Sequence, residues 1–154
     1  MTTTTHNPFH ELSAIKNQYE QTLGWPVSVD VGHRRLVMHV GGRIDAIILP
    51  TRLAERALAE LRFAMLDGPV AAGPGGHWHT FLTTRTAVAN PALPLELRNA
   101  KAQLIPCGGQ IIIPRSLTAQ DIPRDWRWVV APRPHRALPP WCAVVSAARR
   151  AIRW

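Results

Sequence analysis

A chain of 154 residues, 46% apolar and 18% charged, has the length and composition of one folded domain with a real core, which excludes a disordered or collagen-like polymer. No apolar run approaches the roughly 18 residues needed to span a bilayer, and the polar residues 1–6 hold no apolar signal region. The sequence therefore predicts a cytoplasmic protein, with a disordered tail over 1–7 and a single domain over 8–154 ending in a basic helix.

Asn7 and Pro8 read as N-cap and first residue of a helix. Phe9, Leu12, Ile15, Tyr19 and Leu23 follow at spacings of three and four, until Gly24 and Pro26 stop it. Residues 27–31 and 35–40 alternate as a hairpin across Gly32-His33, and Gly41-Gly42 turns the chain again. Residues 44–49 are more continuously apolar, as in a strand covered on both faces. Pro50 breaks that strand, and Thr51 is placed to cap a helix over 52–66 with Leu53, Ala57, Leu61 and Met65 on one stripe.

A short strand over 70–72, the loop Gly73-Pro74-Gly75-Gly76 and a strand over 77–84 come next. A proline-bearing connection over 90–94 leads to a short segment near 96–101. Residues 102–105 and 110–113 suggest a second hairpin across Pro106-Cys107-Gly108-Gly109, followed by a long loop from Pro114. Residues 126–130 suit a last strand, and 141–154 a helix with Val144, Val145, Ala148 and Ile152 as its apolar stripe. The fold class expected is α+β: a mainly antiparallel sheet of about seven short strands with two or three packed helices.

Cys107 and Cys142 are the only cysteines, and neither has metal-ligand spacing. They read most simply as reduced thiols, with Cys142 buried in the last helix.

The net charge is +8, from sixteen Arg and two Lys against ten acidic residues. Six Arg (Arg127, Arg133, Arg136, Arg149, Arg150, Arg153) and no acidic residue follow Asp125. With Arg124 they suit a nucleic acid or an acidic protein, because each guanidinium can fork onto a phosphate or carboxylate. Arg-rich, Ala-rich and Lys-poor chains are also expected from GC-rich genomes whatever they do. Trp126 and Trp128 interleave with Arg124 and Arg127, a pattern suited to base stacking or an aromatic-rich interface. Core packing is the expected place of Trp25, Trp78 and Trp126, and Trp154 is the hardest to bury.

Gly75-Gly76, followed by His77 and His79, is a possible phosphate loop, since backbone amides of a Gly-rich turn can cradle phosphate. It lacks the Lys-Ser/Thr of a P-loop and otherwise reads as a plain turn. His77 and His79 share one face of a strand and could meet a ligand or metal, with His33 or His39 as the obvious third donor. The alternative is two solvent-facing histidines with Trp78 turned inward. Asp45 lies on a strand, where a strand-start hydrogen bond is as good a role as catalysis. No DxD or DxE pair and no GxSxG elbow occurs, so the residues point to no catalytic set, no metal and no cofactor.

Gly24-Trp25-Pro26-Val27, the strand ending at Leu49-Pro50, the run from Gly75 to Phe81 and the run from Gly108 to Ser116, with Trp126 downstream, appear in an order that resembles a known family. It is similar to the primase–polymerase N-terminal domain of the archaeo-eukaryotic primase superfamily, most of all its short actinobacterial members, over residues 24–130. Active members of that family use a DxD-type carboxylate pair, a Ser-Gly-Gly-x-His motif and a later third carboxylate to add nucleotides with divalent metal. Here the early strand ends in Leu49-Pro50-Thr51, Pro74 stands for the serine, and residues 102–105 hold no acid. With Phe81 aligned to the family's aromatic, Trp78 falls at the nucleotide-binding His, between His77 and His79. The resemblance thus implies the scaffold without the activity: a non-catalytic binding or regulatory module. The readings that stand beside it are a protein–protein interaction module with an acidic partner, and an enzyme working around His77, His79 and Asp45.

Overall fold

Gly24, at φ +68, ends the first helix, α1 (Pro8–Leu23), and lets the chain reverse into the strand β1 (Val27–Asp30). The structure, a computed structural model, describes residues 8–86, 91–119 and 124–153. Asn7, the tail over 1–6, the start of the 90–94 connection and Trp154 lie outside the described residues. β1 pairs antiparallel with β2 (Arg35–His39) from Val27↔Met38 to Asp30↔Arg35, so the first predicted hairpin is present.

β3 (Ile44–Pro50) runs directly into α2 (Thr51–Phe63). The strands β4 (Val70–Ala72) and β5 (Trp78–Thr84), the short helix α3 (Leu95–Asn99), β6 (Gln103–Leu104), β7 (Gln110–Ile113), β8 (Arg127–Val130) and α4 (Trp141–Ile152) follow. The fold is α+β, with four helices and eight strands among the described residues.

The strands divide into two antiparallel sheets, β1-β2-β7 and β6-β3-β5-β4-β8, where the sequence suggested one. The predicted hairpin between 102–105 and 110–113 does not form: β6 pairs with β3, and β7 with β2. The linker instead crosses between the sheets, held where Ile105 N–H donates to Ala46 O, and where Val40 exchanges hydrogen bonds with Gly108 and Gly109. The β2–β7 register sets Leu36 against Ile113 and Met38 against Ile111, all four buried. A local hairpin would forgo that pairing of large aliphatic side chains.

The five-stranded sheet is covered on both faces. On one side Leu53, Ala57 and Leu61 of α2 and Val144, Ala148 and Ala151 of α4 pack on Ile47, Leu49, Val70 and Phe81. On the other, Leu12 and Tyr19 of α1 and Leu36 and Met38 of β2 pack with Ala46, Ala71, Leu82 and Trp128. Neighbouring residues of β3, β4 and β5 thus enter opposite cores, which is why their runs are apolar without clean alternation.

β8 departs from this parity. Val70 pairs with Val130, but Ala71 pairs with Trp128, so a bulge at Val129 sends Trp128 to one core and Val130 to the other.

Three side chains sit differently from expectation. Cys142 is exposed, because with Ser146, Arg149 and Arg153 it lies opposite the buried stripe of α4. Met65 lies beyond the end of α2 and is 81% exposed. Thr51 does not cap α2: Pro50 takes the N-cap position, and the Thr51 hydroxyl donates to Gly76 O.

Candidate anion-binding site

β3 and β5 pair Leu49 with His79, β5 and β4 pair His79 with Ala72, and β4 and β8 pair Ala72 with Arg127. Residues directly opposite one another share a face. His79 and Arg127 are therefore on one face of the sheet with only Ala72 between them, roughly 10 Å apart at two strand spacings. That face is the one covered by α2 and α4.

The turn before β5 and the start of α2 close over the same place. Gly75 and Gly76 take φ +84 and +64, which glycine alone adopts without strain. Thr51 N–H donates to His77 O at 3.1 Å, and the Thr51 hydroxyl bonds Gly76 O, so the N-terminus of α2 is tied to the turn. A Cβ on Gly76 would lie 3.3 Å from Arg127 Nη2, so the guanidinium rests against bare glycine backbone. A Cβ on Gly75 would meet the His77 ring at 3.2 Å.

The electrostatics of this place are positive on balance, with Glu55 the opposing charge at His79. α2 begins with no side-chain cap and no acidic residue in its first turn, which leaves the partial positive charge of its N-terminus in place. Arg127 Nη1 and His79 Nδ1 are buried with no hydrogen-bond partner, and Arg127 has no carboxylate partner among the described residues. Burial pushes the His79 imidazole below its usual range; Glu55 pulls the other way, and the Arg127 charge adds to the lowering. A buried N–H of a guanidinium without an acceptor is costly, and a helix N-terminus beside a glycine turn suits the oxygens of a phosphate.

Of the predicted phosphate loop, the structure thus gathers Gly75, Gly76 and His79, while His77 is exposed above the turn. The expected orientation of the strand is reversed: His79 is 6% exposed and Trp78 is 44% exposed. His79 shares its parity with Phe81, which fills the α2–α4 core, whereas Trp78 lies at the strand end on the opposite face. Arg127 joins the site through the β4–β8 register. Only the pairing of β8 with β4 sets it beside the glycine turn, so nothing local in the sequence marks it.

No protein-family model, curated protein or solved structure matches the chain. The remaining predicted residues are spread out. Arg149 pairs with Glu96 of α3, Arg150 with Glu60 of α2 at 3.0 Å, and Arg136 with Asp67 at 3.1 Å. Arg124, Arg133 and Arg153 are exposed and have no carboxylate partner among the described residues. His33 is held by Asp30 at 2.9 Å and His39 lies beside Gln110, both on the three-stranded sheet. Among the described residues, no group of three or more His, Cys, Asp or Glu could hold a metal ion. The Asp45 carboxylate accepts the Thr86 N–H at 2.8 Å. No described helix is long and apolar enough to cross a membrane.

Proposed function

We propose that the chain is a non-catalytic nucleic-acid-binding module on a primase–polymerase-like scaffold. It takes one backbone phosphate at the Gly75–Gly76 turn and further phosphates on the arginines of its C-terminal third. The observation that carries this reading is the half-buried Arg127, whose Nη1 has no hydrogen-bond acceptor and which has no carboxylate partner among the described residues, beside the uncapped start of α2. Phosphate supplies the missing charge and the missing hydrogen-bond acceptors together.

The ion pairs of Arg149 and Arg150 do not oppose this role. Their arginines are half exposed, at 50% and 51%, and exposed pairs contribute only about 0–1 kcal/mol, so exchanging a carboxylate for a phosphate costs little. The enzyme reading has weaker support, because the Asp45 carboxylate is occupied by a backbone N–H and the two imidazoles sit in different environments.

Fluorescence anisotropy of labelled single- and double-stranded DNA and RNA at several salt concentrations tests the proposal. Binding should weaken steeply with salt, and Arg127→Gln should lower the salt slope by about one phosphate contact. Replacing Arg149, Arg150 and Arg153 together should weaken binding on all sequences alike. Absence of binding at low salt would overturn the reading and leave an acidic protein as the partner to seek.

A further inference from the structure

A second concave site lies at the other end of both α2 and β8 from Arg127. It is a groove of about 370 Å³ between the end of α1, the Asp67-Gly68-Pro69 connection and the loop that follows β8. That volume is at the small end of the roughly 300–1,000 Å³ typical of ligand pockets. The thirteen residues of α2 separate the two places by about 20 Å at 1.5 Å per residue.

The lining of the groove is about equally polar and apolar, and its apolar part is rigidly held. Leu23 and Trp25 line it from α1 and the following turn, and Val130 and Leu138 from the opposite side. Trp25 is stacked on Tyr19 with ring centroids 6.0 Å apart and an interplanar angle of 10°, and meets Trp128 edge-on at 5.9 Å. Trp25 is only 8% exposed, so it gives the groove a narrow, fixed apolar edge that loses no side-chain freedom on binding.

The polar side chains lining the groove, Thr22, Asp67, Arg133, His135 and Arg136, are unbalanced in charge. Among the described residues Asp67 is the only acidic one lining the groove, and Arg136 already holds it at 3.1 Å. Arg133 also lines the groove, is exposed and has no carboxylate partner among the described residues. The loop carrying it is anchored. Arg136 N–H reaches back to Arg133 O at 3.4 Å, and Thr84 N–H donates to Pro139 O at 3.0 Å. Pro139 packs so closely on Gly68 that a Cβ there would lie 2.3 Å from its Cδ.

We propose that this groove binds a small organic anion, with a ring-sized apolar body against Trp25 and Leu138 and a carboxylate or phosphate on Arg133. The inference uses none of the residues of the Gly75–Gly76 turn and so stands apart from phosphate binding there, while Arg133 is shared with the arginines proposed to take further phosphates. A neutral ligand of the same shape would leave Arg133 unanswered, so the charged group supplies the selectivity.

The probes are 1-naphthoate and its neutral counterpart 1-naphthamide, titrated into the full chain and followed by ¹⁵N–¹H correlation spectra. Saturable shifts are expected at the backbone amides of Ala131, Ala137 and Leu138 and at the Trp25 indole. Naphthoate should bind about ten-fold more tightly than naphthamide, the effect of one charge-assisted contact. Arg133→Gln should remove that difference while leaving naphthamide binding unchanged. Ala137→Glu, at an exposed position of the same wall, should weaken naphthoate selectively. Equal affinity for the two probes, shifts centred elsewhere, or no saturation in the folded wild type would overturn the proposal.

Discussion

The indole N–H of Trp128 donates to the phenolic oxygen of Tyr19 at 2.9 Å, joining β8 to α1 across 109 residues of chain. The same hydroxyl lies 2.7 Å from Pro114 O and 3.0 Å from Ser116 O. Both rings are buried, so the hydroxyl serves as acceptor and donor where water does not reach. Tyr19→Phe should destabilise the fold by about 1–3 kcal/mol, because it leaves the buried Trp128 N–H and Pro114 O without their partner. Urea denaturation measures the loss. Combining Tyr19→Phe with Trp128→Phe should cost less than the sum of the two single changes.

Tyr19 is also the only tyrosine of the chain, which makes its titration visible. Burial pushes its hydroxyl well above the ordinary value of 10.0, against the hydrogen bond from Trp128. The folded state thus keeps a proton that the unfolded state releases near pH 10. Stability from this group is intact below pH 10 and is lost as pH rises above it. The tyrosinate absorbance near 295 nm should therefore appear together with loss of the circular-dichroism signal, not before it.

His79 gives the opposite dependence at acid pH. Its depressed folded-state value means that the unfolded chain takes up a proton near the ordinary 6.5 while the folded chain resists it. The stability of the wild type should fall as pH drops through and below that value. His79→Gln should lose less stability over the same interval, as measured by thermal melts at pH 7.5 and pH 5. If inorganic phosphate occupies the site beside Arg127, it should reduce the acid sensitivity of the wild type.

Met65 occupies the left-handed position at the end of α2, at φ +56. Leu66 N–H bonds Leu61 O at 2.8 Å and Met65 N–H bonds Arg62 O at 3.0 Å, the pair of bonds that normally closes over a glycine. Holding an L side chain there costs about 1–2 kcal/mol, and the Met65 side chain is almost fully exposed, so little packing compensates. Met65→Gly should raise stability by about 1 kcal/mol, less the extra freedom glycine gives the unfolded chain. Differential scanning calorimetry should show a Tm several degrees higher.

Much of the local structure was legible in the chain. α1, the β1–β2 hairpin, β4, β7 and α4 fall at or within two residues of their expected bounds, because Gly24, Pro50, Gly68 and Pro140 punctuate runs whose periodicity is clear. The separation of β6 from β7 was not legible. Two short apolar segments around a glycine turn look like a hairpin, whichever partners they later find. Of the candidate site, the glycine turn and His79 could be named in advance. Arg127 could be named only as one arginine among seven.

The sequence by itself determined the elements, the α+β class and the excess of arginine, since each follows from neighbouring residues and their spacing. Tertiary structure alone decided that His79 points inward and Trp78 outward, because each face of β5 carries a core residue, Phe81 on one and Leu82 on the other, and the packing of α2 and α4 selects between them. It also decided that Arg127 meets the Gly75–Gly76 turn, through pairings of β5 with β4 and of β4 with β8. Strand register is fixed by hydrogen bonds and burial between segments distant in the chain, and no local run of residues encodes it.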